Sequence, residues 1–280
     1  MAFNQSPSRR IGNILFVGFC GVATTIALVA LAAIMVSLLK QGLGGLNLDV
    51  FTKSTPAPGS TGGLANAIVG TLMLCGIAMI IAVVVGVLAG TWLAEYGGDG
   101  WYARLIRFVN DVLLSAPSIL IGLFVYEIAV FPFHGFSGFA GALALSLIAI
   151  PVVTRTTEDV LKLQPSALRE SGVALGAPLW TAIRKIMWRA AAGGMVTGAL
   201  LAFARISGET APLLFTALNN QFFSLNMSRP MANLPVVIFN FALSAYDDWR
   251  RLAWVGALLI AAAVLAAQII ARLFVREAPR

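Results

Sequence analysis

Two oppositely charged residues, Arg205 and Glu209, lie inside a long apolar run of this sequence. They are four positions apart, so on an α-helix they would share one face. A charged side chain at the centre of a bilayer costs about 2.5–3.5 kcal/mol or more, and such residues usually pair with one another or face a cavity. Two interpretations therefore stay open: the pair holds two helices together, or it lines the path of a charged substrate.

A second informative stretch lies between two apolar runs and is flanked by basic residues. Glu170, Ser171 and Gly172 are followed by three residues, Gly176, nine further residues and Ile186. Gly176, with Pro178 two positions later, predicts that a short helix ends after about residue 175 and that the chain turns there. The small residues would allow close packing against a partner. An ordinary solvated loop with a helix on the membrane surface fits the residues equally well.

Two further patterns point to helix packing. Four small or polar residues recur at i, i+4, i+7 and i+11, which is one face of a predicted third membrane helix: Asp111, Ser115, Ser118 and Gly122. This face could border a pathway, but close packing on a neighbouring helix is favoured. Gly194 and Gly198 form a Gly-x-x-x-Gly motif, which is also typical of close helix packing. Glu127 receives no role.

The composition excludes a water-soluble protein. Of 280 residues, 59% are hydrophobic and 11% are charged, whereas soluble domains carry roughly 25% charged residues. The apolar excess must face lipid. The net charge of +7 would suggest nucleic acid in a soluble protein, but here the basic residues lie mostly between apolar runs, so a nucleic-acid partner is not expected.

The sequence does not support metal, cofactor or nucleotide chemistry in this chain. One histidine and two cysteines, both in apolar runs, cannot make a zinc site or a disulfide framework. A Gly-x-x-x-x-Gly-Lys-Ser/Thr motif, which would cradle the phosphates of ATP, does not occur. We therefore expect no cofactor and no enzyme activity in this chain.

Six apolar runs are long enough, or nearly so, to cross a bilayer. They span about 14–39, 65–93, 109–131, 136–154, 192–214 and 252–274. The predicted fold is an all-α integral membrane protein with six transmembrane helices. The apolar stretch 234–245 is too short to span and is expected to be re-entrant, interfacial or packed on the outer side. Arg205 would lie about 13 residues into the fifth helix, roughly 20 Å deep.

The distribution of basic residues predicts the orientation. With both termini in the cytoplasm, the inner segments hold 13 of the 19 basic residues and the outer segments hold five. The thirteen are Arg9, Arg10, Arg104, Arg107, Arg155, Lys162, Arg169, Arg184, Lys185, Arg189, Arg272, Arg276 and Arg280. Three regions are expected: an N-terminal helix and outer loop (1–62), a permease domain (63–274) and a cytoplasmic tail (275–280).

The loop beginning at Glu170 resembles the loop shared by permease subunits of bacterial ABC importers. Glu170, Gly176 and Ile186 match that pattern at its spacing. The chain departs from it in two places: Ser171 and Gly172 replace two alanines, and Trp188-Arg189 replaces Leu-Pro. The resemblance implies the type I (MetI-like) importer architecture. It also implies that this loop forms a helix that docks in a cleft of a separate ATPase subunit and couples nucleotide-driven motion to transport.

A more specific resemblance is to the PstA-type permease subunits of bacterial phosphate importers, and it covers about 64–274. It is carried by Arg205–Leu218, Ala232–Pro235, Asn110–Ser118 and Arg155–Glu158. It implies a subunit of the bacterial inner membrane that forms the pathway for inorganic phosphate together with a paralogous permease. An ABC ATPase dimer and a periplasmic phosphate-binding protein would be the other partners, within the membrane lipid.

Two other functions remain as alternatives. Arginine recognises tetrahedral anions by shape and charge, so the substrate could be another oxyanion such as sulfate or molybdate. An ion-driven secondary transporter would be favoured by inverted repeats and by discontinuous helices in both halves of the chain. The sequence shows no such symmetry. A membrane scaffold without transport activity would leave the intramembrane charge pair unexplained.

Overall fold

The computed structural model describes residues 7–276, and this part of the chain is helical with no β-strand. Twelve α-helices lie within it: α1 (Pro7–Gly45), α2 (Asp49–Thr52), α3 (Ala65–Glu95), α4 (Trp101–Ser115), α5 (Ser118–Val125), α6 (Gly138–Lys162), α7 (Ser166–Ala174), α8 (Leu179–Ala182), α9 (Trp188–Ser207), α10 (Ala211–Leu214), α11 (Leu234–Ala242) and α12 (Asp247–Arg276). Two π-helical segments, Tyr126–Val130 and Ile183–Met187, continue α5 and join α8 to α9.

Five helices in residues 7–276 are long and apolar enough to cross a membrane: α1, α3, α6, the continuous rod from α8 to α9, and α12. The predicted all-α membrane fold is therefore confirmed. The predicted third membrane helix is wrong as a single straight span, because α4 and the helix after it are bent by 106°. Ala116 and Pro117 have extended backbone at the bend, since a residue before proline is kept out of the helical region.

The predicted bounds of the fifth membrane helix, about 192–214, are also wrong. The helix begins at Leu179, directly after Pro178, and ends at Ser207. Its first turns carry Arg184 and Lys185, and a hydropathy pattern cannot recognise a helix through such residues. Its last predicted residues fall beyond Gly208, where the regular helix stops.

The centre of the bundle is formed by α3 packed along α6. Small residues allow the close approach: a Cβ added at Gly86 would lie 2.7 Å from the Cβ of Val153, and one at Gly90 would lie 2.6 Å from the carbonyl oxygen of Thr154. Leu74, Leu145 and other apolar residues of the two helices form a fully buried core. Most of α6 is buried, so the elements around it take their positions from this helix.

The first helix, α1, is peripheral. Residues 9–36 of α1 are exposed within the chain. The carboxyl end of α1 packs against α12. A Cβ at Gly42 would lie 2.8 Å from the Cβ of Leu258, and one at Gly45 would lie 2.7 Å from the Cγ2 of Val255. The division of the chain at about residue 62 stays a prediction. Of the predicted tail, residues 275 and 276 belong to α12 and 277–280 lie outside the described residues.

Polar clusters mark the two ends of the bundle. At one end, Asn66 of α3 accepts a hydrogen bond from the backbone nitrogen of Thr55 and donates to the carbonyl oxygen of Asn220 at 2.8 Å. The short helix α11 packs on α12 and α3 at this end, and Thr71 accepts a hydrogen bond from its first residue. At the other end, Glu158 of α6 accepts hydrogen bonds from Arg107 at 2.7 Å and Lys162 at 2.6 Å.

Candidate functional site

The fifth membrane helix stops at the charged motif found in the sequence. α9 ends at Ser207, whose hydroxyl donates to the carbonyl oxygen of Phe203 at 2.6 Å. The nitrogen of Glu209 donates to the carbonyl oxygen of Ile206 in a tight turn, and α10 begins two residues later. Glu209 therefore lies beyond the helix, which corrects the prediction that it shares a helical face with Arg205.

The contact between Arg205 and Glu209 is loose. The Nε atom of Arg205 lies 4.0 Å from the Oε1 atom of Glu209, which is too long for a hydrogen bond. The arginine side chain is 39% exposed and the glutamate side chain 18% exposed. No other carboxylate between residues 7 and 276 lies within ion-pair distance of Arg205. Its guanidinium donors therefore remain available to a ligand.

The depth of this break follows from how α9 packs on α6. A Cβ at Gly194 would lie 2.5 Å from the Cγ1 of Val160, and one at Gly198 would lie 2.1 Å from the Oγ1 of Thr156. The two helices run antiparallel in this register, so Arg205 lies beside the middle of α6. Both glycines are thus at the helix contact, where the sequence suggested packing.

Irregular backbone at membrane depth has unpaired peptide groups, so it is tolerated only inside protein or beside a water-filled cavity. Gly208 is exposed within this chain, and a Cβ added there would meet nothing within 4 Å. The break is therefore open on one side. A lipid tail cannot satisfy its peptide groups, which favours a polar space or a protein partner at this surface.

The bend between α4 and α5 is a second helix break, and it lies against the break after Ser207. α5, which follows the bend at Pro117, packs on α10, and a Cβ at Gly122 would lie 2.6 Å from the Cα of Pro212. The fold thus brings together two segments that the sequence singled out separately, 110–118 and 205–218. Ser118 is on α5 beside Gly122, as its spacing suggested.

The predicted polar face of the third helix is not one face, because the 106° bend separates its two halves. Asp111 and Ser115 belong to α4 and are exposed. A carboxylate oxygen of Asp111 lies 3.8 Å from a guanidinium nitrogen of Arg155, and the hydroxyl of Ser115 donates to the carbonyl oxygen of Asp111. These two residues are therefore not part of the α5 contact with α10.

The loop beginning near Glu170 folds into α7, and its end is a Schellman motif. Gly176 has a φ of +79°, which favours glycine. The nitrogen of Ala177 donates to the carbonyl oxygen of Gly172, and the nitrogen of Gly176 donates to that of Val173. The predicted end of a short helix near residue 175 is confirmed.

The outer surface of α7 is available to a partner. A Cβ at Gly172 would lie 2.9 Å from the Cδ1 of Ile186, so these two motif residues meet at the inner face of the helix. Glu170 and Ser171 are exposed, as are the apolar side chains of Val173 and Leu175, the latter 88%. This mixed surface is typical of a protein contact.

Sequence reasoning missed the contacts that join α7 and the start of α9 to the end of α3. Arg169, which was assigned only to the basic flank, forms two hydrogen bonds with the buried carboxylate of Glu95. Trp188, noted as a departure from the loop pattern, donates through Nε1 to the hydroxyl of Thr91 at 3.0 Å. The partners are 74 and 97 residues apart in sequence. The charge of Glu95 at the end of an apolar run is a sequence signal for the first pair, and the second pair has no such signal. Within residues 7–276 no three potential metal ligands come together.

The family model described as binding-protein-dependent transport system inner membrane component matches residues 82–278. Among curated proteins, the chain is 52% identical to the phosphate transport system permease protein PstA of Haemophilus influenzae, over 95% of this chain and 94% of that protein. It is 34% identical to the probable phosphate transport system permease protein PstA of Methanocaldococcus jannaschii, over 90% and 89% of the two chains.

Solved structures with a similar fold include chains of ABC transporters. A chain of the inward-facing MetNI methionine ABC transporter has a TM-score of 0.65 at 18% identity, over 76% of this chain and 95% of its own. A chain of a bacterial alginate ABC transporter has a TM-score of 0.66 at 14% identity, over 95% and 96%. At these identities the likeness concerns the fold alone.

Proposed function

Since the chain belongs to the family of binding-protein-dependent transport system inner membrane components, we propose that it is the permease subunit of an ATP-driven importer of inorganic phosphate. Relatives named as phosphate transport permeases match nearly the whole chain at about half identity. The fold is that of type I ABC importer permeases, and the chain is a multi-pass protein of the inner membrane.

The observation that carries the pathway proposal is the break after Ser207 beside the middle of α6. Arg205 lies next to this break, is partly exposed and has its closest carboxylate 4.0 Å away. Phosphate near neutral pH carries one to two negative charges, so its dehydration in a narrow path needs a compensating positive group. The planar guanidinium provides several donors that match the oxygens of phosphate. Glu209 limits how tightly the anion is held, because it partly neutralises the arginine.

The surface of α7 supports the proposal of an ATPase partner in a separate chain. Its exposed Glu170 and Ser171, together with Val173 and Leu175, form a compact mixed surface that would fit a cleft. An ATPase in the cytoplasm requires α7 on the inner side, and both chain termini would then be cytoplasmic. The open side of the break at Gly208 would face the paralogous permease, and the periplasmic phosphate-binding protein would deliver substrate at the opposite end from α7.

Broken helices alone would also fit an ion-driven transporter, and two of them occur within residues 7–276. Family membership and the ABC fold favour ATP-driven transport over that alternative. The choice between phosphate and another oxyanion depends on the relatives and not on arginine chemistry.

The test is transport by the purified complex in proteoliposomes. The chain would be co-expressed with its paralogous permease and ATPase and supplied with the binding protein. We expect labelled phosphate to accumulate only with ATP on the cytoplasmic side, and an ionophore should have no effect. Excess sulfate or molybdate should not compete. Uptake that follows a proton or sodium gradient, or that sulfate abolishes, would contradict the proposal.

A further inference from the structure

Glu95 and Arg169 form an ion pair with two hydrogen bonds between α3 and α7, and its carboxylate is buried. The Nε atom of Arg169 lies 2.6 Å from Oε2 of Glu95, and Nη2 lies 2.7 Å from Oε1. The glutamate side chain is 1% exposed and the arginine side chain 31% exposed. Two parallel hydrogen bonds fix orientation as well as distance, so the pair sets the angle at which α7 meets the last residue of α3.

The residues next to the pair in sequence belong to an apolar cluster. Leu168, adjacent to Arg169, packs in a cluster with Ala94 of α3, Leu161 of α6 and Met187. The hydrogen bonds to Glu95 raise the pKa of Arg169, because they favour its charged form. Burying an ion pair gives little net stability relative to an apolar contact of the same size. Stability alone is therefore a poor reason for a carboxylate at this position.

A second polar contact lies one turn earlier on α3. Thr91 is 2% exposed and accepts the hydrogen bond from Trp188, the first residue of α9. Thr91 and Glu95 are four residues apart on one helical face. The last turn of α3 is thus hydrogen-bonded both to α7, which precedes the turn at Gly176, and to the rod from α8 to α9, which follows it.

The other part of α3 reaches the broken helix. Leu74 and Cys75 pack in the same buried core as Ile206 and Leu213, which lie on either side of the break. A displacement of the end of α3 would therefore reach the backbone around Arg205 through close-packed side chains, which deform little.

We propose that Glu95 and Arg169 are positioning residues that join α7 rigidly to α3, so that ATPase-driven movement of α7 displaces α3 and opens or closes the break beside Arg205. This inference rests on the proposed function, since it takes α7 as the element that meets the ATPase. Without the pair, α7 would remain attached through Gly172 and Ile186 but would slide on the end of α3. Hydrolysis would then continue with less transport.

The first test compares transport with hydrolysis in the reconstituted complex. In Glu95→Gln, phosphate transported per ATP hydrolysed should fall about fivefold or more. The double variant Glu95→Leu with Arg169→Met removes both charges together, so it should assemble as well as the wild type. Its apolar contact is not directional, so its transport per ATP should stay low. The control Asp49→Asn breaks an exposed ion pair between the first residue of α2 and Lys53, which follows that helix, and it should leave the ratio unchanged.

A double variant with the wild-type ratio would overturn the inference and make the pair structural only. The inference would also be overturned if Glu95→Gln lost assembly and transport in equal proportion, with a constant ratio per ATP.

The second test does not need phosphate, so it separates this inference from the proposed substrate. Spin labels would be attached at Ala167 of α7 and Leu88 of α3, both exposed, after Cys20 and Cys75 are changed to alanine. The distance between the labels should remain narrowly distributed with and without ATP in the otherwise unchanged complex. It should broaden in Glu95→Gln and in the double variant. An unchanged distribution in both would contradict a rigid link, whatever the complex transports.

Discussion

Arg205 and Glu209 face each other across the end of α9, with the Nε and Oε1 atoms 4.0 Å apart. The four-residue spacing suggests a pair along one helical face, but the helix stops at Ser207 between them. An ion pair at this distance with partly exposed side chains is weak. The arrangement therefore suits an arginine that exchanges its carboxylate for a passing anion better than it suits a permanent clamp between helices.

The first prediction concerns Glu209. Glu209→Ala removes the competing carboxylate, so phosphate should be held more tightly at Arg205 and leave more slowly. We expect a lower maximal rate of uptake together with a lower half-saturating concentration of loaded binding protein. Both are measured from uptake curves in proteoliposomes. Glu209→Gln is the matched control for size and should behave in the same way, because it also lacks the charge. A normal maximal rate in both variants would contradict this role.

The second prediction uses the backbone at Gly176. Gly176→Val should distort the end of α7, because a β-branched residue is strongly disfavoured at a φ of +79°. ATP hydrolysis stimulated by the binding protein should fall severalfold while the chain still inserts. Gly59→Val is the control, since Gly59 has a φ of +76° in another loop and, like Gly176, has nothing within 4 Å of an added Cβ. Equal losses in the two variants would mean that α7 has no special part in coupling.

The third prediction concerns the packing of α9 on α6. Gly198→Leu should destabilise the complex by about 1–3 kcal/mol, because the new side chain would overlap Thr156. The melting temperature in detergent should drop accordingly. Gly12→Leu on the exposed helix α1, where an added Cβ meets nothing within 4 Å, should leave it unchanged. If the two variants have the same melting temperature, α9 and α6 are not in the close contact described here.

The fourth prediction is the orientation. Single cysteines in a cysteine-free chain should react with a membrane-impermeant thiol reagent from the periplasm at Pro58 and Asn226. Cysteines at Ala177 and at Gly98 should react only after the membrane is permeabilised. Labelling of the cysteine at position 177 in intact cells would show that α7 is not cytoplasmic, and it would contradict the proposed ATPase contact.

Much of the fold was predictable from hydropathy. Runs such as 65–93 match α3 within a few residues, because a lipid-facing helix must be apolar over its whole length. The end of α7 was predictable because Gly176 and Pro178 act locally. Pro117 is a local signal for the bend, but hydropathy does not show a bend there because the apolar run continues through Ala116 and Pro117.

The contacts between distant residues were not predictable from one sequence. Glu95 and Arg169 meet because the end of α3 lies beside the short helix α7, and nothing local in either segment indicates the other. The start of the fifth helix at Leu179 was missed for a different reason, because its first turns lie outside the apolar run. The contact of Gly122 with Pro212 depends on two helix breaks that lie inside apolar runs, so hydropathy does not show them.

The central claim is that Arg205 binds phosphate during its passage, and the direct measurement is uptake of labelled phosphate by Arg205→Ala, normalised to assembled complex. Loss of charge-assisted hydrogen bonds worth about 1.5–3 kcal/mol predicts that uptake falls about 10- to 100-fold. Arg205→Lys keeps the charge without the planar guanidinium group and should retain part of the uptake. Arg10→Ala, on the exposed helix α1, should transport normally. Wild-type uptake by fully assembled Arg205→Ala complex would contradict the account.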